Sequence, residues 1–447
     1  MSTKYTRRTF LKMTATGLAG VALAACQPVP VPGATGQGAP ATEGKVVRII
    51  LPSWATGEIP FDTTARQFNE ANPGVNVQIQ TDFEGWETKV LAQISTGKVE
   101  WSGVGIASSA SSSLPRWILT GLVQPLDDLI AASKEKGAVD MTTDMLPTLR
   151  AASTHDGKFY GIPYSFENIS FNWRTDYFDA VGAKEAPKDW ETWLSIAQEI
   201  KKWGADKKII PSAFIEDLDA SIGSLIYGSL DQPFDDNMIL KWDSPEAIEA
   251  LTFYKKMVDG ELTPPHGFDG WLDAYYAGQL ASVQAQSSRG VWGQLSFGTD
   301  KVTTSPVPTR DGKPHAGTPF WGNCVAVLNK APNAQEALDY FAYTMGPQNA
   351  DFQKTVIKTG KTPVYESAYK AIINGDPQFK TYAWMNDMRD QVDHSVARPF
   401  NNYFSIQDTY YRKYIVQLVE PGSTMTPEEC AKHILEDSQA EIAKQKL

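Results

Sequence analysis

The run Val46-Val47-Arg48-Ile49-Ile50-Leu51-Pro52 is apolar, short and closed by proline, which predicts a buried β-strand. Thr63 to Glu70 carries helical spacing, and Asn72-Pro73-Gly74 stops it. Val75 to Gln80 alternates apolar and polar, which predicts a second strand, and Trp86 to Thr96 predicts a helix ended by Gly97. Strand, helix, strand, helix is the rhythm of an α/β fold with a parallel sheet. Asp189 to Trp203 predicts a long amphipathic helix with apolar residues at 190, 193, 194, 197 and 200, closed by Gly204. On that face Trp190 and Trp193 read as core. Ser244-Pro245 starts another helix, with proline at its first position, ending near Gly260. Asn333 with Glu336, and Thr426 with Glu429, have the spacing of capping boxes. No fixed-period repeat is present.

The N-terminus has a different pattern. Lys4, Arg7, Arg8 and Lys12 precede the apolar run Met13 to Ala25, which is too short to span a bilayer and predicts a signal peptide. Thr6-Arg7-Arg8-Thr9-Phe10-Leu11-Lys12 resembles a twin-arginine export signal, and Leu23-Ala24-Ala25-Cys26 resembles a bacterial lipobox, with Cys26 taking the lipid. The plainer alternative is a cleaved signal with an incidental cysteine. Gln27 to Gly44 holds four prolines and four glycines, so residues 26–45 read as a lipidated cysteine and flexible tether. Extended, that tether reaches about 55 Å at ~3.1 Å per residue. Cys324 and Cys430 then remain and read as buried free thiols, one disulfide being the alternative.

Charge narrows the partners. The chain of 447 residues carries −11, and loss of the four signal bases makes this −15. Such an acidic surface argues against nucleic acid. The 13 Trp, 17 Tyr and 19 Phe exceed what a core alone usually needs. No metal or cofactor is expected: the five histidines (155, 266, 315, 394, 433) form no ligand pair in sequence. Gly360-Lys361-Thr362 ends like a phosphate loop, but Thr355 stands where that loop needs glycine. There is no nucleophile elbow.

The order of segments resembles one family over nearly the whole mature chain: the extracellular solute-binding proteins of family 1, maltose-binding-protein-like receptors of ABC importers. The similar stretches are Phe68 to Val77, Leu119 to Asp128, Asp156-Gly157-Lys158-Phe159-Tyr160-Gly161-Ile162-Pro163, Phe171 to Arg174, Ala186 to Glu191, Tyr276 to Ala281, Val307-Pro308, and Ala331 to Met345. The resemblance implies an α/β fold of two lobes (type II), each a mixed sheet flanked by helices, joined by chain crossovers. These are expected near 165–170, 305–308 and 361–363. Lobe one is then 46–166 with 306–360, and lobe two 168–304 with 363–447. Hinge closure around ligand follows from such a fold.

A sugar needs rings for its C–H faces and carboxylates, amides or arginine for its hydroxyls, converging in one cleft. Strand C-terminal ends face the crevice of open α/β sheets, which selects Trp54 and Glu58 after the first strand. Trp86 follows the second strand, or simply starts a helix. Ser108 and Ser109 follow the third, or form a solvated loop. Glu167 and Asn168 stand at the first implied crossover. The resemblance adds Arg289 and Trp292, with Trp292 the foremost aromatic platform. It also adds Trp321 and Asn323, then Arg398 and Tyr403. Trp271 and Tyr275 are candidates for ligand or for packing. The expected protein is a monomeric, lipid-anchored extracytoplasmic receptor. It passes a mono- or short oligosaccharide to ABC permease subunits without transforming it. The alternatives are a non-sugar ligand (a phosphorylated polyol or peptide) and a membrane-anchored glycoside hydrolase or lyase.

Overall fold

The computed structural model describes residues 44–56, 59–82, 85–107, 113–215, 217–266, 268, 270–395 and 403–445. The export signal, Cys26 and nearly all of the tether lie outside them. So do Glu58, Ser108, Ser109, Arg398 and the Trp54 side chain.

The α/β rhythm is realised. In chain order come β1 (Lys45–Pro52), α1 (Phe61–Ala71), β2 (Val75–Asp82), α2 (Trp86–Ser95) and β3 (Gly103–Ala107). There follow β4 (Gly161–Arg174), α3 (Trp190–Gly204), β5 (Ala213–Phe214) and α4 (Pro245–Asp259). Then come β6 (Ser282–Gln286), α5 (Ser288–Phe297), β7 (Val302–Ser305), β8 (Phe320–Val327), α6 (Met385–Val392), α7 (Tyr403–Val419) and α8 (Pro427–Gln445). The strand order is β2-β1-β3-β8-β4-β6-β5, with β7 also on β4. β1 runs parallel to β2 and β3, β8 antiparallel to β3 and β4, and β4 antiparallel to β6 and β7.

β4 organises the molecule. Its first half pairs with β8, from Gly161↔Ala326 to Asn168↔Phe320. Its second half pairs with β6, from Ile169↔Gln286 to Trp173↔Ser282. Tyr164 and Phe166 belong to one hydrophobic core, with Val47, Ile49, Phe61, Val325 and Phe341. Ile169 and Phe171 belong to another, with Trp193, Trp242, Val283 and Ile415. One continuous strand thus crosses from lobe to lobe between residues 166 and 169. A satellite core of Ile50, Val90, Val104, Trp117 and Cys324 covers the other face of the first sheet. Cys324 and Cys430 are both buried and free.

Two expectations are corrected by packing. The crossover near 361–363 does not divide the cores: Val364, Tyr365, Tyr369, Met385, Met388 and Val392 all pack in the first lobe. Only from Phe404 onward does the C-terminal segment join the second. The apolar face of 364–392 has the periodicity of either lobe's cover, so sequence does not choose between them. Val307 likewise packs in the second core, one residue beyond the boundary expected at 306. The Asn333 capping box also fails. Asn333 takes a left-handed conformation (φ 53°) without capping, and its amide donates to the Val46 carbonyl at 2.8 Å. Its partner Glu336 pairs with Lys45 instead. The Thr426 box forms in full: Thr426 N–H donates to Glu429 at 2.9 Å, and Glu429 N–H to the Thr426 hydroxyl at 3.1 Å.

Among the described residues, no helix is long and apolar enough to cross a membrane, and no His, Cys, Asp or Glu cluster could hold a metal ion.

Candidate functional site

Every residue of β4 is buried except one, Glu167, at the point where the strand passes between lobes. Side chains alternate across a strand, so Glu167 shares its face with Ser165, and Asn168 turns to the opposite one. Directly across the antiparallel pair from Glu167 is Trp321 of β8. Two residues on, Asn323 faces Ser165 and donates to its hydroxyl at 3.1 Å. Glu167, Trp321 and Asn323 therefore line one patch at the crossing. Trp321 comes from the first sheet but packs against the second core, so its ring bridges the lobes.

The chain brings two further segments there. β6 pairs with β4 at Ile169↔Gln286, and Ser287 N–H donates to the Asn168 carbonyl at 2.9 Å. This sets Gln286, Ser287 and the start of α5 beside the crossing. From the first lobe, Thr362 exchanges backbone hydrogen bonds with Phe166 at 2.9 and 3.0 Å. The turn before it holds Gly360 at φ +84°, where a Cβ would lie 2.9 Å from the Ser288 backbone. Only glycine permits that approach of the two lobes.

Among the described residues, six buried side-chain atoms around this face have no hydrogen-bond partner: Glu167 Oε1, Gln286 Oε1, Ser287 Oγ, Arg289 Nε, Trp321 Nε1 and Thr362 Oγ1. A buried polar group without a partner costs about 1–3 kcal/mol, so native proteins rarely leave several together. Carboxylate, amide, hydroxyl, indole N–H and guanidinium in one place form the donor and acceptor set that a polyhydroxyl solute satisfies.

Arg289 enters from the first turn of α5. Tyr275 fixes it, its hydroxyl donating to the Arg289 carbonyl at 2.9 Å. Burial pushes the Tyr275 phenol up, so it stays a neutral donor. The guanidinium lies 5.8 Å from the centre of the Trp271 ring and reaches the Tyr276 hydroxyl at 3.4 Å.

Other sequence candidates sit elsewhere. Trp292 is on the solvent side of α5, 37% exposed beside Leu295 at 72%. Residues 289 and 292 share one helix face, so the two differ in distance along α5: Arg289 is in its first turn, beside Ser287 at the crossing, and Trp292 is one turn farther on. Trp86 starts α2 and packs on Trp117, ring centres 5.7 Å apart, which is the packing alternative. Asn168 faces the back of the crossing, towards Gln391 at 3.5 Å. Tyr403 starts α7 and packs against Ile239, Ile406 and Ile442. Sequence reasoning passed over Gln286, Ser287 and Thr362. Gln286 and Ser287 end a strand at the crevice side, a usable signal; Thr362 stands in the crossover expected near 361–363, and its pairing with Phe166, distant in sequence, brings it to the site.

Behind the crossing lies a groove of about 410 Å³ lined by Pro187, Pro306, Val307, Pro314, Thr318 and Gln391, among others. It is mainly apolar, with Thr309 Oγ1 its one buried unpartnered side-chain atom among the described residues, so it suits a polyhydroxyl solute less well than the Glu167 face.

A family model described as bacterial extracellular solute-binding protein matches residues 63–383. Proteins of Brucella abortus named only as binding proteins are 26% identical over 232 residues, 49% of this chain, and the match spans about half (51%) of their length. Among solved structures, the sugar-binding protein MalE of Xanthomonas citri has a TM-score of 0.74 at 16% identity, covering 90% of this chain and 98% of that one. UgpB of Mycobacterium tuberculosis, solved with glycerophosphocholine, has a TM-score of 0.71 at 19% identity, covering 89% and 99%. At such identities these likenesses show the two-lobed periplasmic-binding-protein fold.

Proposed function

Because the chain belongs to the bacterial extracellular solute-binding proteins, we propose that it is the extracytoplasmic receptor of an ABC importer, closing its two lobes on a carbohydrate and delivering it to the permease. The observation that carries this reading is Glu167. It is the one open position on the strand that joins the lobes, and it faces an unpartnered indole N–H. A solute bound there touches both lobes, and its higher affinity for the closed form draws the hinge shut. The Glu167 carboxylate accepts from sugar hydroxyls, Asn323 and Gln286 extend the polar set, and Trp321 covers a C–H face. The same reading keeps Trp54, Glu58, Ser108, Ser109 and Arg398 as candidate contacts to the solute. The sugar-binding protein among the structural likenesses fits a carbohydrate solute, and glycerophosphocholine, the solute of another, shares with it a diol. No chemical transformation of the solute is part of this role.

The test is a thermal-shift screen against mono- and oligosaccharides, polyols and their phosphates. A ligand at 100 times its dissociation constant adds about 2.7 kcal/mol of stability. A shift confined to one solute class supports the receptor. No shift, with reaction product in the wells, supports a hydrolase or lyase instead.

Export by the twin-arginine route and lipidation at Cys26 complete the proposal and hold the monomeric receptor beside its permease. Cys26→Ala is expected to move the protein from the membrane fraction to the soluble extracytoplasmic fraction, followed by fractionation and immunoblot. Retention in the membrane would sink the lipid anchor.

A further inference from the structure

The described arginines that are buried or half-buried are Arg174, Arg289, Arg310, Arg389 and Arg412. Four of them are held by carboxylates. Arg174 pairs with Asp176, Arg310 with Glu246 and Glu249, Arg389 with Glu366, and Arg412 with Asp217 and Asp408. Arg289 has no carboxylate within ion-pair distance among the described residues. Its Nε is buried without a partner, and the one hydrogen bond of its side chain among the described residues is the long one to the Tyr276 hydroxyl. Taking a guanidinium out of water without a counter-charge costs several kcal/mol, and a planar fork of donors matches carboxylate and phosphate oxygens. The neighbourhood suits an anion in other ways. Ser287, at the N-cap of the ten-residue α5, is fully buried with an unpartnered hydroxyl that makes no cap. The first turn of α5 carries no acidic residue. The N-terminal end of the helix dipole adds positive potential.

Resting on the receptor reading above, we propose that Arg289 sets the specificity and that the solute is an acidic carbohydrate: a sugar or polyol bearing a carboxylate or phosphate. The acid group lies against Arg289 and Ser287 at the second lobe. The uncharged hydroxyls lie against Glu167 and Trp321, since the Glu167 charge repels the acid from that end. Trp271 backs the guanidinium and Tyr275 holds its backbone, so the fork is in place before the solute arrives.

The test is calorimetric titration of the full chain with one set of pyranoses, each as neutral aldose, uronate and 6-phosphate, at two salt concentrations. Acidic members are expected to bind about 10- to 100-fold more tightly than their neutral counterparts, the worth of a charge-assisted contact. Higher salt should narrow that margin. Uronate alone or phosphate alone binding tightly identifies the acid group, and either result supports the proposal. In Arg289→Gln the acid-to-neutral preference should collapse, while Arg289→Lys should retain part of it. A merely structural arginine would lower the melting temperature of both variants without changing the preference. Neutral sugars binding as tightly as acidic ones overturns the acidic specificity and leaves the receptor intact. Binding by none of the set overturns both.

Discussion

Replacing Trp193 by alanine is expected to destabilise the protein by about 3–5 kcal/mol, the usual cost of emptying a large aromatic site in a core. Trp193 is 1% exposed. Its ring meets Phe171 edge-on with centres 5.1 Å apart, and lies 5.3 Å from Phe214 and 5.4 Å from Phe253. These come from β4, β5 and α4, so the indole ties the crossing strand of the second lobe to its helices. No neighbour is positioned to refill the volume, because Phe171 and Phe214 are fixed in the sheet. Trp193→Phe should recover much of the loss. Urea denaturation of the three proteins measures it, and a loss under 1 kcal/mol for the alanine variant would mean the ring is not a core element.

Glu167→Gln is expected to weaken solute binding about 10- to 100-fold, from the loss of one or two charge-assisted hydrogen bonds at ~1.5–3 kcal/mol each. Without solute it should not destabilise the fold. Glu167 Oε1 has no partner to lose among the described residues, and a neutral amide of the same shape is cheaper to hold half-buried. The two readouts therefore move in different directions: affinity falls while the unliganded melting temperature holds or rises. Calorimetry and thermal unfolding on the same preparations check this. Unchanged affinity would remove Glu167 from the site, and a lowered unliganded melting temperature would make it a structural residue.

Much of the fold is readable in sequence because local pattern and burial agree. The spacing at 190, 193, 197 and 200 becomes the buried face of α3, with Asp189 capping it at 2.8 Å from the Thr192 N–H. The runs at 46–52 and 75–80 become paired strands. Misreadings arise where distant chain decides. Asn333 has the letters of a cap, but β1 lies beside it and its amide is better used on Val46. The apolar periodicity of 364–392 says that a face is covered, not by which lobe. At the site, Glu167 is legible because the family resemblance puts the first crossover beside it, and it is the one carboxylate of the crossing strand. For Trp292 the motif finds the helix but not which turn meets the crossing: Ser287 does so at the N-terminal end, and Trp292 lies more than a turn beyond. Gln286, Ser287 and Thr362 become site residues only through pairings with β4 that join segments more than a hundred residues apart.

Calorimetric titration of the wild-type protein with the solute that shifts its melting temperature most, followed by recovery of that solute, decides whether this is a capture protein. One saturable event at a one-to-one ratio, weakened in Glu167→Gln, with the solute recovered unchanged, is the expected result. No saturable binding, equal binding by Glu167→Gln, or recovery of a cleaved or altered solute would contradict capture at the interlobe crossing.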